Sequence, residues 1–471
     1  MQKESSSKKQ FIGRQDEQKK LTDIYESDNF EFGIVYGRRR IGKSTLLKKF
    51  IKDKSAIYVV ANEKKLELNL ETFAKAIGDF FGQTHLSFSS FTDMVEYLFV
   101  NIKQKTVVVI DEFTYLINVD KAILSELQNV VDKYKDNSNL KLIISGSHVG
   151  MVEDMLAYKK PLYARKTFAI KLKEFDYYES AQFFPNFSYE DKIRAYAFCG
   201  GVPHYLSLVD DTKSIKENII DMFIRPFAHL ENELEFLFQT EFRNKANYSS
   251  VLHVVANGKT KLNEISQLSH INDTAKTATY LKPLIDMGLI EKENVFTDGK
   301  SQRRTIYKIK NNLVNFVYSF LEDNRSAHTL LTPDDFYNII ICPKLDDYVS
   351  FIFEDVCKQY LIRTNRLQNN EKILAIGRYW YNCSATKTQI EIDICTKTTN
   401  GFVVYECKWT NSLVNMIIMK ELERKADGIK EFSVSEFGAF SKNGFNSDVM
   451  ANYDKVFSLK NLFSSELLIT I

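Results

Sequence analysis

The chain has 471 residues, of which 44% are hydrophobic and 26% charged, a balance that excludes a disordered or fibrous protein and leaves enough apolar material for about three domains. Its net charge of +2 excludes a global electrostatic pull towards nucleic acid, so any such role must rest on local patches. The six cysteines (Cys199, Cys342, Cys357, Cys383, Cys395 and Cys407) are scattered with no C-x-x-C pair, which argues against a zinc or disulfide scaffold and fits a reducing cytoplasm. No apolar run approaches the ~20 residues of a membrane helix, so no membrane partner is expected.

Residues 1–10 read as a flexible polar tail, and Asp16 to Ile24 as a short helix. Glu31 to Leu47, EFGIVYGRRRIGKSTLL, then reads as an apolar strand, a glycine loop and a helix. Gly37, Gly42, Lys43 and Ser44 occupy every fixed position of G-x-x-x-x-G-K-[ST]. The glycines let backbone N–H groups turn inward around a phosphate chain, where a Cβ would obstruct, and the helix starting near Lys43 adds its positive end. Lys43 is expected on the β- and γ-phosphates of a nucleotide and the Ser44 hydroxyl on Mg²⁺. Gly37, Arg38, Arg39, Arg40, Ile41, Gly42 and Thr45 complete the expected nucleotide loop.

Ile57–Ala61 follows as a strand, then amphipathic helices near Leu70–Phe81 and Phe91–Ile102. Thr106 to Asp111, TVVVID, is continuous and β-branched, as a parallel strand covered on both faces should be. At its carboxyl end Asp111 is expected to hold the metal and Glu112 to orient and deprotonate the attacking water. Leu140–Ser145 is the next strand. At its tip Ser147 and His148 are both placed to touch the γ-phosphate or the water, and the sequence does not choose between them. Thr167–Leu172 completes a five-stranded core. Arg165, just before it, is a candidate sensor of γ-phosphate, in cis or across the subunit interface of a homo-oligomer. Helices from Tyr177 to about Thr240, broken at Gly200-Gly201 and reopened by Pro203, read as a lid over the nucleotide.

From Asn247 the pattern changes. Tyr248–Ala256, Lys261–Ser269 and Asp273–Met287 read as three helices. A strand starts at Gly288, turns at Asp298-Gly299 and returns over Arg304–Ile309. This order is the winged variant of helix-turn-helix, which serves both DNA binding and protein docking. Thr274, Lys276, Thr277, Thr279, Tyr280 and Lys282 on the third helix would meet a major groove, with Lys300, Arg303 and Arg304 of the ribbon on flanking phosphates. Leu313–Glu322 connects to a last domain beginning near Asp346. There Phe351–Leu361 reads as a helix carrying Glu354, followed by strands at Leu374–Tyr381, Gln389–Thr396 and Gly401–Trp409. Glu406 and Lys408, two apart on an otherwise apolar strand, share a face. Asp393 on the neighbouring strand and Glu354 from the helix can converge on them. Carboxylates binding Mg²⁺ beside a lysine form a phosphodiesterase constellation; a buried ion pair without metal is the plainer alternative.

With these residues in view, the chain resembles a prokaryotic, especially archaeal, family of P-loop ATPases. In that family an AAA-like core and a winged helix precede a C-terminal domain of the PD-(D/E)XK nuclease superfamily. The resemblance rests on FIGRQDEQKKL, GRRRIGKST, VVVIDEF, LIISGSHVG, PLYARKT, CGGVPHYL, IGRYWYN, QIEIDIC and YECKW, which occur in the family's order. It implies an α/β protein: an ATPase core over 11–172, a helical lid over 173–240, a winged helix over 241–312, a connecting helix over 313–345 and a restriction-endonuclease-like domain over 346–471. It implies nucleotide roles for Gly37–Thr45, Asp111 and Glu112, a sensor at the ISGS tip, Arg165 as the sensing arginine, and nuclease-type positions Glu354, Asp393, Glu406 and Lys408. The expected partners are ATP, Mg²⁺ and double-stranded DNA. The alternative is an ATP-dependent switch whose C-terminal domain binds a partner without cleaving it.

Overall fold

A computed structural model of the chain describes residues 11–242, 245–296, 304–367, 371–383 and 387–464. The expected tail, the turn at Asp298-Gly299, and Lys300 and Arg303 lie outside the described residues. The chain divides into two compact units, the first ending at Glu174 and the second beginning at Phe175.

The first unit is built on five parallel strands: β1 (Glu31–Tyr36), β2 (Ala56–Val60), β3 (Val107–Asp111), β4 (Lys141–Gly146) and β5 (Phe168–Lys171). Their order is β2-β3-β4-β1-β5. The β-branched run of β3 is explained by its two-sided burial. Val108 and Ile110 enter a core with Phe32, Ile34 and Leu142 on one face, while Val107 and Val109 join Val35, Leu46 and Ile143 on the other. Because all five strands run the same way, their carboxyl ends form one edge, where an open α/β sheet places its ligand crevice. The order puts β4 between β1 and β3, so the tip of β4 reaches both the glycine loop after β1 and the acidic pair ending β3.

The second unit contains everything expected of the lid, the three-helix segment, the connector and the C-terminal domain. The lid helices do not form a layer of their own. Phe198 and Phe223 pack into the core with Phe316, Tyr348 and Phe353. Tyr348 Oη donates to the carbonyls of Ala197 (2.8 Å) and Asn312 (3.0 Å), tying those helices to the C-terminal part. Helices Lys245–Ala256, Leu262–Leu268 and Thr274–Asp286 are followed by an antiparallel ribbon of β6 (Ile290–Glu293) and β7 (Ile306–Ile309). The helix expected over Phe351–Leu361 is far longer, Cys342–Leu367. Beside it stands a mixed sheet of β8 (Ile373–Cys383), β9 (Thr388–Thr398), β10 (Phe402–Lys408), β11 (Val434–Ser441) and β12 (Lys455–Ser458), in the order β12-β11-β10-β9-β8. β8, β9 and β10 are antiparallel neighbours, whereas β10, β11 and β12 run parallel. Among the described residues no helix is long and apolar enough to cross a membrane.

Candidate functional site

The glycine loop leaves β1 through Gly37, whose φ of +156° and proximity to Leu172 bar a side chain: a Cβ there would lie 2.7 Å from the Leu172 carbonyl oxygen. Gly42, at φ +92°, turns the chain into the helix Lys43–Ile51. Lys43 is buried, and its ammonium donates to the carbonyls of Gly37 (3.0 Å) and Arg38 (3.2 Å), so its charge is held over the loop. Arg39 donates to Tyr115 Oη (2.9 Å). Arg38 Nη2 lies 2.9 Å from Glu174 Oε1, close as an ion pair but off-axis for a hydrogen bond.

Asp111 is buried at the end of β3 and ringed by donors. Ser44 Oγ donates to its Oδ2 at 2.6 Å, Tyr58 Oη donates to the same oxygen, and Ser145 Oγ and the Glu112 N–H donate to Oδ1. Burial alone would raise its pKa; the hydrogen bonds from Ser145, Ser44 and Tyr58 outweigh it and hold the carboxyl below its ordinary value, hence ionised. The Tyr58 hydroxyl, buried and hydrogen-bonded to Asp111, is pushed up and stays protonated as a donor. Glu112 adopts φ +55°, a left-handed conformation costing ~1–2 kcal/mol outside glycine. That turn carries its carboxylate to the tip of β4, where Ser147 Oγ donates to Oε1. The other oxygen, Oε2, is buried with no hydrogen-bond partner among the described residues. His148 instead lies 3.5 Å from Thr114 Oγ1 and packs edge-on against Tyr115.

The donor set fits Mg²⁺ and a triphosphate. A hydroxyl and an ionised carboxylate stand 2.6 Å apart, a buried ammonium rests on backbone carbonyls, and one carboxylate oxygen is left for a water. Arg165 is not brought to this edge: it grips Asp132 with three hydrogen bonds of 2.8–3.2 Å at the surface. Tyr58 and Ser145 were missed in the sequence. Each lies on a strand neighbouring β3, and no local motif ties either to Asp111.

In the second unit, the register Tyr405 opposite Ile394 brings Asp393 beside Glu406, and the Cys407 N–H donates to Asp393 Oδ2 at 2.8 Å. Glu406 is buried and held by two ammonium groups, Lys408 at 2.5 Å and Lys425 at 3.1 Å. Lys425 comes from the helix Met416–Ala426, which was missed in the sequence although Asn415 caps it and Met419, Leu422 and Ala426 recur at helical spacing. Burial first, then the Glu406 charge, raise the Asp393 carboxyl to about 6. Burial lowers the Lys408 pKa, but Glu406 and Asp393 outweigh it and leave it raised. Glu354 is engaged elsewhere: Arg378 of β8 donates to its carboxylate. Among the described residues no group of three or more His, Cys, Asp or Glu is placed to hold a metal. The expected three-carboxylate set is therefore a carboxylate pair with two lysines.

On the third helix, Thr274, Lys276, Thr279 and Lys282 face solvent, but Thr277 is buried with its hydroxyl on the Asp273 carbonyl (2.7 Å), and Tyr280 accepts from Asn247 (2.7 Å). Arg304 is bound to Glu431 (3.2 Å), so it does not stand open to phosphates as expected. The ribbon docks through Val295, Phe296 and Ile306 on the sheet core containing Tyr379 and Trp380.

Residues 11–209 match the model of an ATPase domain predominantly from Archaea, and residues 317–451 match a family described as Archaea bacterial proteins of unknown function. An uncharacterized protein of Methanocaldococcus jannaschii is 32% identical over 416 residues, 85% of this chain and 87% of that one. The Walker-type ATPase of Pyrococcus abyssi matches in fold with a TM-score of 0.50 at 21% identity, covering 65% of this chain and 96% of that structure. The ORC2 protein of Aeropyrum pernix, solved with ADPNP and ADP, aligns at a TM-score of 0.47 and 14% identity over 74% of this chain and 96% of its own.

Proposed function

This chain belongs to the archaeal family in which an ATPase domain precedes a C-terminal domain of unknown function, and on that premise we propose that it couples Mg²⁺-dependent ATP hydrolysis to duplex DNA. ATP hydrolysis itself follows from the family. The observation that carries the residue assignments is the Ser44–Asp111–Glu112–Ser147 arrangement. Lys43 and the loop N–H groups bind the phosphates, and Ser44 with ionised Asp111 would hold Mg²⁺, which when bound neutralises charge on the phosphate oxygens. Glu112, fixed at Oε1 by Ser147, receives the proton of the attacking water at Oε2.

Recognition of duplex DNA is read from the second unit, as a winged helix-turn-helix whose third helix presents Thr274, Lys276, Thr279 and Lys282 to the major groove. Cleavage would belong to Asp393, Glu406, Lys408 and Lys425, a PD-(D/E)XK-like centre. The second reading, a switch that binds without cutting, is favoured by one observation: Glu354 is paired with Arg378 and Glu406 with two lysines, so two of the three expected metal ligands are already neutralised. A nicking assay on supercoiled plasmid with Mg²⁺ or Mn²⁺, with and without ATP, separates the two. Cleavage abolished in Lys408→Ala, with ATP hydrolysis retained, supports the nuclease. No cleavage under any condition, with duplex binding intact, supports the switch.

A further inference from the structure

Between the helix Val149–Met155 and β5 the chain reads AYKKPLYARKT, residues 157–167, with four cations, two tyrosines and no acid. The segment is built firmly. Leu162 is fully buried in the core of the first unit. Backbone hydrogen bonds tie Lys160 to Ala157, Tyr163 to Lys160, and both Arg165 and Lys166 to Leu162. Lys159 is held at φ +68°, which a lysine adopts at a cost of ~1–2 kcal/mol. This frame displays two rings that the fold does not bury: Tyr158 is 73% exposed and Tyr163 44%. They meet edge to face with centroids 5.5 Å apart. Lys159 Nζ lies 5.6 Å from the Tyr158 ring and Lys166 Nζ 5.0 Å from the Tyr163 ring. A cavity of about 280 Å³ opens beside them, lined also by Gln128 and Pro161.

We propose that this segment is a stacking platform for single-stranded nucleic acid, with bases on the Tyr158 and Tyr163 rings and phosphates on Lys159 and Lys166. Aromatic faces accept any base, and neighbouring ammonium groups follow the backbone, which is the chemistry of sequence-tolerant single-strand binding. The obvious competitor is a second copy of the chain whose nucleotide the segment would touch. The cation suited to that task, Arg165, is clamped bidentately on Asp132, and Lys160 is 3.1 Å from Asp154. What the segment offers outward is ring surface and lysine tips rather than a poised guanidinium. The platform lies in the ATPase unit and does not depend on duplex recognition by the second unit.

The test is fluorescence anisotropy of labelled oligo(dT) with the full chain across a salt series. Replacing both Tyr158→Ala and Tyr163→Ala is expected to weaken binding roughly tenfold or more, while Tyr158→Phe with Tyr163→Phe keeps it. Lys159→Gln with Lys166→Gln is expected to flatten the salt slope by ~0.7 for each phosphate that is no longer neutralised. Unchanged ATP binding and melting temperature in these variants would show that the fold is intact, and unchanged duplex mobility shifts would separate this site from the third helix. The proposal is overturned if wild type fails to bind oligo(dT) at low salt, or if the double alanine variant binds as wild type does. It is also overturned if that variant keeps oligo(dT) binding and loses ATP-dependent self-association, which would give the surface to a second copy.

Discussion

Ser147 donates to one oxygen of the Glu112 carboxylate, and the other oxygen is buried with no hydrogen-bond partner among the described residues. A buried acceptor left unpaired costs ~1–3 kcal/mol, more when charged, unless something polar comes to meet it. In the mechanism proposed above, the attacking water is that group.

Glu112→Gln preserves the shape and removes the base. It is expected to bind ATP normally and to slow turnover by roughly 10²–10⁴-fold, the usual contribution of a positioned base. Lys43→Ala removes the buried ammonium and is expected to lose ATP binding itself. Nucleotide retention on a filter alongside single-turnover hydrolysis distinguishes the two outcomes. Wild-type turnover in Glu112→Gln would place the base elsewhere.

Ser147→Ala and His148→Ala decide the choice that the strand tip leaves open. Hydrogen bonds to charged groups are worth ~1.5–3 kcal/mol, so Ser147→Ala is expected to lower kcat about tenfold or more with little change in KM for ATP. His148, which touches Thr114 and Tyr115, is expected to matter less. The reverse ranking in steady-state kinetics would reassign the role at the strand tip.

Asp393 has a folded pKa of about 6, above its unfolded value, so the fold takes up a proton there between the two values. The ionised form therefore costs stability above about pH 6, and that cost fades as pH falls towards the unfolded value. The groups around it are Glu406, which adds to the shift, and Arg378 and Lys425, which oppose it; Lys408 sits on Glu406. In chelator, wild type is expected to gain thermal stability relative to Asp393→Asn as pH is lowered from about 7 to about 5. A difference between the two proteins that stays flat with pH would show that the carboxyl is not perturbed.

The third helix and the ribbon are expected to behave differently towards DNA. Lys276→Ala with Lys282→Ala should weaken duplex binding and lower the salt slope by about 1 for each phosphate released. Arg304→Ala should lower the melting temperature, since it breaks the pairing with Glu431, and leave the slope alone. Mobility shifts at several salt concentrations read both. A slope change in Arg304→Ala alone would mean that the ribbon, not the helix, meets the backbone.

How much of this was legible in the sequence depended on distance along the chain. The glycine loop, Asp111-Glu112 and the Glu406–Lys408 pair are short contiguous patterns, and their local geometry follows from helix starts and strand period. The residues that surround them arrive from elsewhere. Tyr58 and Ser145 reach Asp111 from strands flanking β3, and Lys425 reaches Glu406 from a helix, 19 positions along the chain. Glu354 was misplaced because its partner Arg378 sits on β8, where nothing in the sequence marks it as a counter-ion. β11, VSEFGAFS, escaped notice because small and polar residues interrupt its apolar run. The core that receives the helices read as a lid was not legible for a related reason: an amphipathic helix announces a buried face, but not which core will receive it.

The Arg38–Glu174 pair carries one more implication. Arg38 belongs to the loop that wraps phosphate, and Glu174 is the last residue of the first unit. One guanidinium thus has two claimants, a side-chain carboxylate and an incoming triphosphate, and the present pairing is not aligned as a hydrogen bond. Were an incoming triphosphate to draw Arg38 to its oxygens, Glu174, where the first unit ends, would lose this ion pair, so nucleotide loading would be felt at the end of the unit.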